Sequence, residues 1–229
     1  MVLSAAARLQ RLVPKAVLVG GTAAAIYARH RFSSDADHVL TDLRFRFDSV
    51  LADIESVAGW KTARVVRPVQ ILGSLDGIET GIRQLIRREP LETKVVQIGG
   101  HSLTIPTEPE ILRIKGALIL KRNATRDYLD FVALAHHMGD AAVTEALSSL
   151  DRLYPQDNEE SPLQQLQVQL ASPLPFDLDE VAPSLSEYKD LDPRWHDWSR
   201  VKEECGRLAT AIFDGTCGAQ FPEPPSHAR

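Results

Sequence analysis

The stretch Val17–His38 reads VLVGGTAAAIYARHRFSSDADH, and the order of residue types within it carries the argument for the fold. The apolar run Ala16–Val19 predicts a short buried strand. Gly20-Gly21 then turns the chain tightly or lets its backbone approach a ligand. Thr22 to about Arg31 predicts a helix, with Ala, Ile and Tyr as its apolar surface and Thr22 capping its start. Ser33-Ser34 leads into a second strand over Asp35–Leu40. Residues i and i+2 of a strand share a face, so Asp35 and Asp37 present two carboxylates side by side. Such a pair is costly without a cation near it. Hard divalent ions are held this way, by one or two carboxylates together with substrate phosphates. The pattern therefore points to phosphoryl or nucleotidyl transfer with Mg²⁺ or Mn²⁺ at Asp35 and Asp37. A solvent-facing strand with Ala36 turned inward explains the same spacing without any metal. Amides at a helix N-terminus can receive phosphate oxygens, which makes Gly20, Gly21 and Thr22 phosphate-contact candidates. An ordinary strand–helix turn accounts for the glycines equally well.

Downstream, residues 47–58 carry apolar positions at helical spacing, with Val50, Leu51, Ile54 and Val57 as the expected buried stripe. A sheet-rich section occupies Ala63–Val66, Val69–Leu72, Ile78–Leu85, Val95–Ile98 and Ser102–Ile105. Turns at Ser74–Gly77 and Gly99-Gly100 predict hairpins. Three helices are expected at about 107–121, 124–138 and 140–153, the first opening on a capping box formed by Thr107 and Glu110. Residues 154–195 read as a weak, polar, Pro-containing segment, and 198–214 as a last helix before a Pro-rich tail. The chain thus divides into a core over 1–106 and a helical C-terminal region over 107–229, an α/β (α+β) organisation.

A chain of 229 residues with 44% hydrophobic and 25% charged residues can build a real core. The net charge of −5 hides an asymmetry: residues 1–126 hold 19 Lys/Arg against 12 Asp/Glu, and residues 127–229 hold 7 against 19. A basic first half can attract RNA or a nucleoside triphosphate, or simply neutralise the acidic second half. Cys205 and Cys217 lack metal-ligand company, no run approaches the ~20 apolar residues of a membrane span, and residues 1–13 do not read as a signal peptide. The expectation is a cytoplasmic protein without a membrane partner.

A second cluster lies in EILRIKGALILKRNATRDYLD, Glu110–Asp130. Lys115 and Arg122 are two helical turns apart and share a face, with Arg126, Asp127 and Asp130 just beyond. Lys115 can neutralise phosphate charge, and Arg122 or Arg126 can grip phosphate or an acceptor backbone. An ordinary Arg126–Asp130 pair and a bracing role for Asp127 are the structural alternatives. A third acid for two-metal chemistry falls on Glu79, within a predicted strand whose polar face also carries Arg83. Asp76-Gly77 reads instead as a turn.

These elements, taken in order, resemble the AbiEii/AbiGii-type nucleotidyltransferase toxins of the DNA polymerase β-like nucleotidyltransferase superfamily. Gly20-Gly21-Thr22-Ala23 is similar to the family's Gly-Gly-Ser/Thr-Ala element, and Arg31-Phe32-Ser33-Ser34-Asp35-Ala36-Asp37 to its Arg-x-Ser/Thr-x-Asp-x-Asp. Lys115-Gly116-Ala117-Leu118, Arg122, Arg126-Asp127 and Asp130 are similar to its Lys-x-x-Ala-Leu, Arg and Arg-Asp-x-x-Asp pattern. The resemblance covers about residues 15–140. It implies a small mixed nucleotidyltransferase sheet flanked by helices, with a helical C-terminal region completing the active cleft. It implies metal-dependent transfer of a nucleoside monophosphate from an NTP, with a tRNA 3′ end as acceptor and an antitoxin protein as partner. Asp35 and Asp37 would bind metal, Gly20, Gly21, Thr22 and Ser33 the phosphates, and Lys115, Arg122 and Arg126 the triphosphate. Asp127 would orient Lys115 or Arg126 or assist proton transfer. A protein or small-molecule acceptor, or a nucleotide-binding protein of weak turnover, remains the alternative, because no third acid stands out.

Overall fold

The computed structural model describes residues 1–157 and 159–220. The chain forms two compact units: Met1–Ile111 with Glu187–Asp192, and Leu112–Ser186 with the chain from Pro193 onward. In the first unit the order is α1 (Val2–Leu12), β1 (Val17–Leu18), α2 (Gly20–Ala28), β2 (Ala36–Leu40), α3 (Phe47–Glu55), β3 (Trp60–Val66), β4 (Gln70–Leu75), β5 (Ile78–Gln84), β6 (Thr93–Ile98) and β7 (His101–Pro106). Five strands make one mixed sheet in the order β1-β2-β5-β4-β3, and β6 and β7 form a separate antiparallel pair. Only β2 and β5 run parallel within the five-stranded sheet.

The expected hairpins are present. Asp76 and Gly77 have φ of 52° and 80°, and Gly99 and Gly100 of 57° and 76°. Two consecutive positive φ angles give the turn whose twist suits a two-residue hairpin, and Gly takes them without strain. One face of the sheet is apolar: Ile71, Leu75 and Ile82 are fully buried against Leu9 and Val13 from α1 and its end, and Phe47, Val50 and Ile54 from α3. Each such side chain contributes about 2 kcal/mol when removed from water. A second cluster joins Val2, Ala6 and Ala7 to Leu18, Ala36, Leu103 and Ile105, tying β6–β7 to the main sheet through α1. On the other face the half-exposed Asp37 and Leu72 and the exposed Arg83 alternate with the buried positions.

The helical unit contains the remainder of α4 (Glu108–Arg122), then α5 (Thr125–Met138), α6 (Asp140–Leu147), α7 (Leu150–Leu153), α8 (Pro162–Ala171), α9 (Leu178–Val181) and α10 (Trp198–Gln220). Three expectations change here and at α2. The helix expected over 140–153 is two, α6 and α7, broken at Ser148-Ser149. The supposedly weak segment 154–195 holds α8, capped by the Ser161 hydroxyl, which accepts from the Gln164 amide at 3.1 Å, with Pro162 in the first turn. Leu166 and Leu170, four residues apart, bury its apolar face. Neither expected Thr cap forms. Helix α2 starts at Gly20, with Val19 as N-cap, while the Thr22 hydroxyl donates to the Asp35 carbonyl at 2.5 Å. Thr107 Oγ1 is buried without a partner, and Glu110 pairs with Arg87 at 2.7 Å instead of closing a capping box. The Pro-rich tail at 221–229 and the Cys217 side chain lie outside the described residues, and Cys205 is a buried free thiol.

Candidate active site

The glycine turn and the aspartates meet in the first unit. Val19 donates its amide to the Asp37 carbonyl at 2.8 Å, so β1 delivers the chain to the start of α2 directly beside β2. Gly20 there has φ +74°, and a Cβ on it would lie 3.7 Å from the Asp37 Cβ. A Cβ on Gly21 would collide with the Arg31 guanidinium and lie 3.1 Å from Ser33 Oγ. Gly20 is thus required by conformation and Gly21 by the side chain packed over it. Arg31 and Ser33 are buried, at 7% and 9% exposure, which the motif's spacing alone did not reveal.

Asp35 and Asp37 are each about a third exposed, their side chains at 36% and 38%, while Ala36 between them is fully buried. The fully buried His38 continues that alternation. Ser34 Oγ donates to Asp35 Oδ1 at 2.5 Å. Two cations stand near the carboxylates without reaching hydrogen-bond distance: Arg83 is 3.7 Å from Asp37, and Lys189 is 3.8 Å from Asp35. Lys189 comes from the returning segment Glu187–Asp192. Its carbonyl accepts from the Phe32 amide at 2.7 Å, and the Asp192 amide donates to the His30 carbonyl at 2.6 Å. Nothing in the sequence signals this return, because its bonds are made by backbone.

Strand register sets the surroundings of the pair. Asp37 lies opposite Gly81 of β5, which lies opposite Leu72 of β4. Glu79, exposed, is on the same face of β5 as Gly81 and opposite Ser74. The ladder between β2 and β5 starts at Ala36 and Thr80, so Asp35, expected as the first strand residue, lies just before β2, and no ladder pair joins it to Glu79. Among the described residues no group of three or more His, Cys, Asp or Glu is arranged to hold a metal ion. The chemistry of the donors nevertheless fits Mg²⁺ or Mn²⁺: two hard, accessible carboxylates, leaving the rest of the coordination shell to phosphate and water.

His38 lies under this face with neither ring nitrogen hydrogen-bonded. Burial pushes its imidazole down to about 4, against a smaller opposing pull from the backbone at Ala36, Gly81 and Ala6. The ring is therefore neutral at pH 7 and belongs to the buried side of β2.

The second predicted cluster is built within the helical unit. Lys115, 1% exposed, sits 3.2 Å from Asp127 Oδ1 and 2.5 Å from Asp130 Oδ2, both carboxylates fully buried. Arg122 closes on the same Asp127 with two bonds, at 2.5 Å and 2.7 Å. Lys115 and Arg122 do share a helix face, and Asp127 is what joins them. The suggested Arg126–Asp130 pair is absent: Asp130 bonds Lys115, and Arg126 is exposed.

No family model matches the chain. Over 131 residues the chain is 34% identical to the heme uptake protein MmpL11 of Mycobacterium tuberculosis, a match covering 56% of this chain and 13% of that protein. The mycolic acid-containing lipids exporter MmpL11 of Mycolicibacterium smegmatis is 35% identical over 131 residues, again 13% of its length. The match therefore spans a small part of those relatives. In three dimensions, 96% of the chain superposes on 95% of a crystal structure from H. pylori, provisionally classed as a nucleotidyltransferase, with TM-score 0.57 and 17% identity. The chain has the fold of that protein, a mixed sheet flanked by helices with a helical C-terminal part.

Proposed function

We propose that the chain is a metal-dependent nucleotidyltransferase that moves a nucleoside monophosphate from an NTP to an RNA acceptor. The observation that carries this reading is the placement of Asp37, about a third exposed, against Gly20 at the start of α2, with the equally open Asp35 two residues before it. A divalent ion held by the two carboxylates would neutralise triphosphate charge and polarise the reacting phosphate. The residues of the chain have separate tasks around it. The amides of Gly20, Gly21 and Thr22, at the positive end of α2, receive phosphate oxygens. The Thr22 hydroxyl is committed to the Asp35 carbonyl and holds the strand in register. Ser33 Oγ, alongside the glycine turn, adds a donor for phosphate. Glu79, exposed on the same face of β5 as Gly81, is the candidate third acid.

Within the helical unit, Lys115 is 1% exposed and spent on Asp127 and Asp130, so its part is to brace α4 against α5. Arg122 is engaged by two bonds to Asp127, and the exposed Arg126 is the cation of this cluster open to an anion. Asp127, with both oxygens engaged, fixes Lys115 and Arg122 in place. The motif order resembling the AbiEii-type toxins supports a tRNA 3′ end as acceptor and a toxin role opposite an antitoxin protein. Among the described residues, no helix is long and apolar enough to cross a membrane.

Purified protein incubated with Mg²⁺, each labelled NTP and total tRNA is expected to label RNA. Replacing Asp35 and Asp37 together by Asn should reduce labelling by about 10³-fold, as loss of a main electrostatic contact does. Label that persists in the double variant removes the site assignment. Absence of transfer to RNA, protein and small hydroxylated acceptors alike removes the activity.

A further inference from the structure

Strand β3 is the outer edge of the five-stranded sheet, and most of its side chains are exposed. Its basic residues Lys61 and Arg64 are three apart, which in a regular strand would send them to opposite faces. The ladder to β4 shifts between Thr62 and Arg64. Lys61 consequently pairs with Ser74 and Arg64 with Leu72, two positions that share a face. A bulge of this kind adds one residue to one strand and re-aims the side chains beyond it. Here it brings both cations to one side.

That side is the one carrying the aspartates. Arg64 lies opposite Leu72, Leu72 opposite Gly81, and Gly81 opposite Asp37. The next row runs from Lys61 to Ser74 to Glu79. Three strand spacings separate the cations on β3 from Asp37 on β2, roughly 14 Å, with Asp35 two residues before it. Both cations are exposed, and neither has an ion-pair partner among the described residues. Between them and the acids, Gly81 has no side chain and half-exposed Leu72 packs over it, with the exposed Glu79 and Arg83 of β5, of opposite charge, on either side of Gly81.

We propose that this open face is the acceptor track, binding a single-stranded nucleic acid whose terminal hydroxyl lies at Asp35 and Asp37 and whose upstream phosphates lie on Lys61 and Arg64. The choice of occupant comes from charge and reach. The acceptor must present a hydroxyl at the acidic end and negative charge roughly three strands away, as an unpaired polyphosphate chain does. The inference rests on the transferase reading of the aspartates, and the test separates the two.

A fluorescent single-stranded RNA oligonucleotide is titrated into the full chain at several salt concentrations, without NTP. The variant K61A/R64A is expected to bind about tenfold more weakly, with a salt slope smaller by about 1.4, the share of two phosphates on a single strand. A control variant, R11A/K15A, removes two exposed cations of α1 and the turn after it and should leave affinity unchanged. An unaltered affinity in K61A/R64A, an equal loss in the control, or no RNA binding by the parent overturns the proposal. Displacement by poly-glutamate as strong as by poly-uridylate overturns the choice of nucleic acid. Mg²⁺-dependent NTP binding, measured in parallel, should be the same in K61A/R64A as in the parent. Its absence from the parent counts against the transferase reading while leaving the RNA titration to judge the track.

Discussion

Gly20 and Gly21 are adjacent, yet each excludes a side chain for a different reason. Gly20 sits at φ +74°, where an L-residue is strained by about 1–2 kcal/mol. Gly21 has an ordinary φ and no room, because Arg31 lies over it. Gly20→Ala should therefore lower stability by about that amount and leave the rest of the turn in place. Gly21→Ala should displace Arg31 and cost phosphate binding more than stability. Thermal unfolding compared with NTP affinity in the two variants checks both. His38 makes a separate prediction. Its folded pKa of about 4 lies below the ordinary 6.5, so the neutral ring favours folding above pH 6.5. That stability, on the order of 3 kcal/mol, is lost as pH falls from 6.5 through 4. His38→Leu should flatten the fall in stability across that window, measured by urea unfolding at pH 7, 5.5 and 4.5. A fall as steep as in the parent contradicts the assignment.

At the scale of elements, local chemistry explains what could be read in the sequence. The stripe Val50, Leu51 and Ile54 of α3 is buried as its spacing predicts, and positive φ at Asp76-Gly77 and Gly99-Gly100 makes the two hairpins. Helix α8 escaped because Gln-rich helical surface looks like polar linker, although Ser161-Pro162 is a start signal in its own right. Ser161→Ala should cost about 1 kcal/mol by removing that cap. The caps expected from Thr22 and Thr107 failed for another reason. Tertiary partners took the groups concerned: the Asp35 carbonyl for Thr22 and Arg87 for Glu110. The same competition shapes the ion-pair cluster of α4 and α5. Lys115→Met would leave Asp127 and Asp130 buried with one fewer cation, and should destabilise by about 3–5 kcal/mol in chemical unfolding. Arg126→Ala, at an exposed position, should change stability by less than about 0.5 kcal/mol. An inverted order of the two would show that Lys115 is not held as the ion pairs place it.

Over the whole molecule, chain order and spatial order part company. The glycine turn, the two aspartates and the hairpins were legible from residue types, because each obeys a short-range rule, while the mixed sheet was an expectation of the motif resemblance alone. The return of Glu187–Asp192 to the first unit was not, since backbone carbonyls and amides make its bonds. Lys189 reaches Asp35 only through that return. Hydrogen exchange provides a direct check: the amides of Phe32 and Asp192, both outside regular strands, should exchange as slowly as those of β2. Rapid exchange at both would dissolve the return. The central claim is that Asp37 on β2 and Asp35 just before it hold the metal for a triphosphate, and Mn²⁺ binding observed by electron paramagnetic resonance tests it most directly. The account predicts tight Mn²⁺ binding in the presence of a nonhydrolysable triphosphate, lost in D35N/D37N and retained in K61A/R64A. Binding of equal strength in D35N/D37N and the parent chain would contradict it.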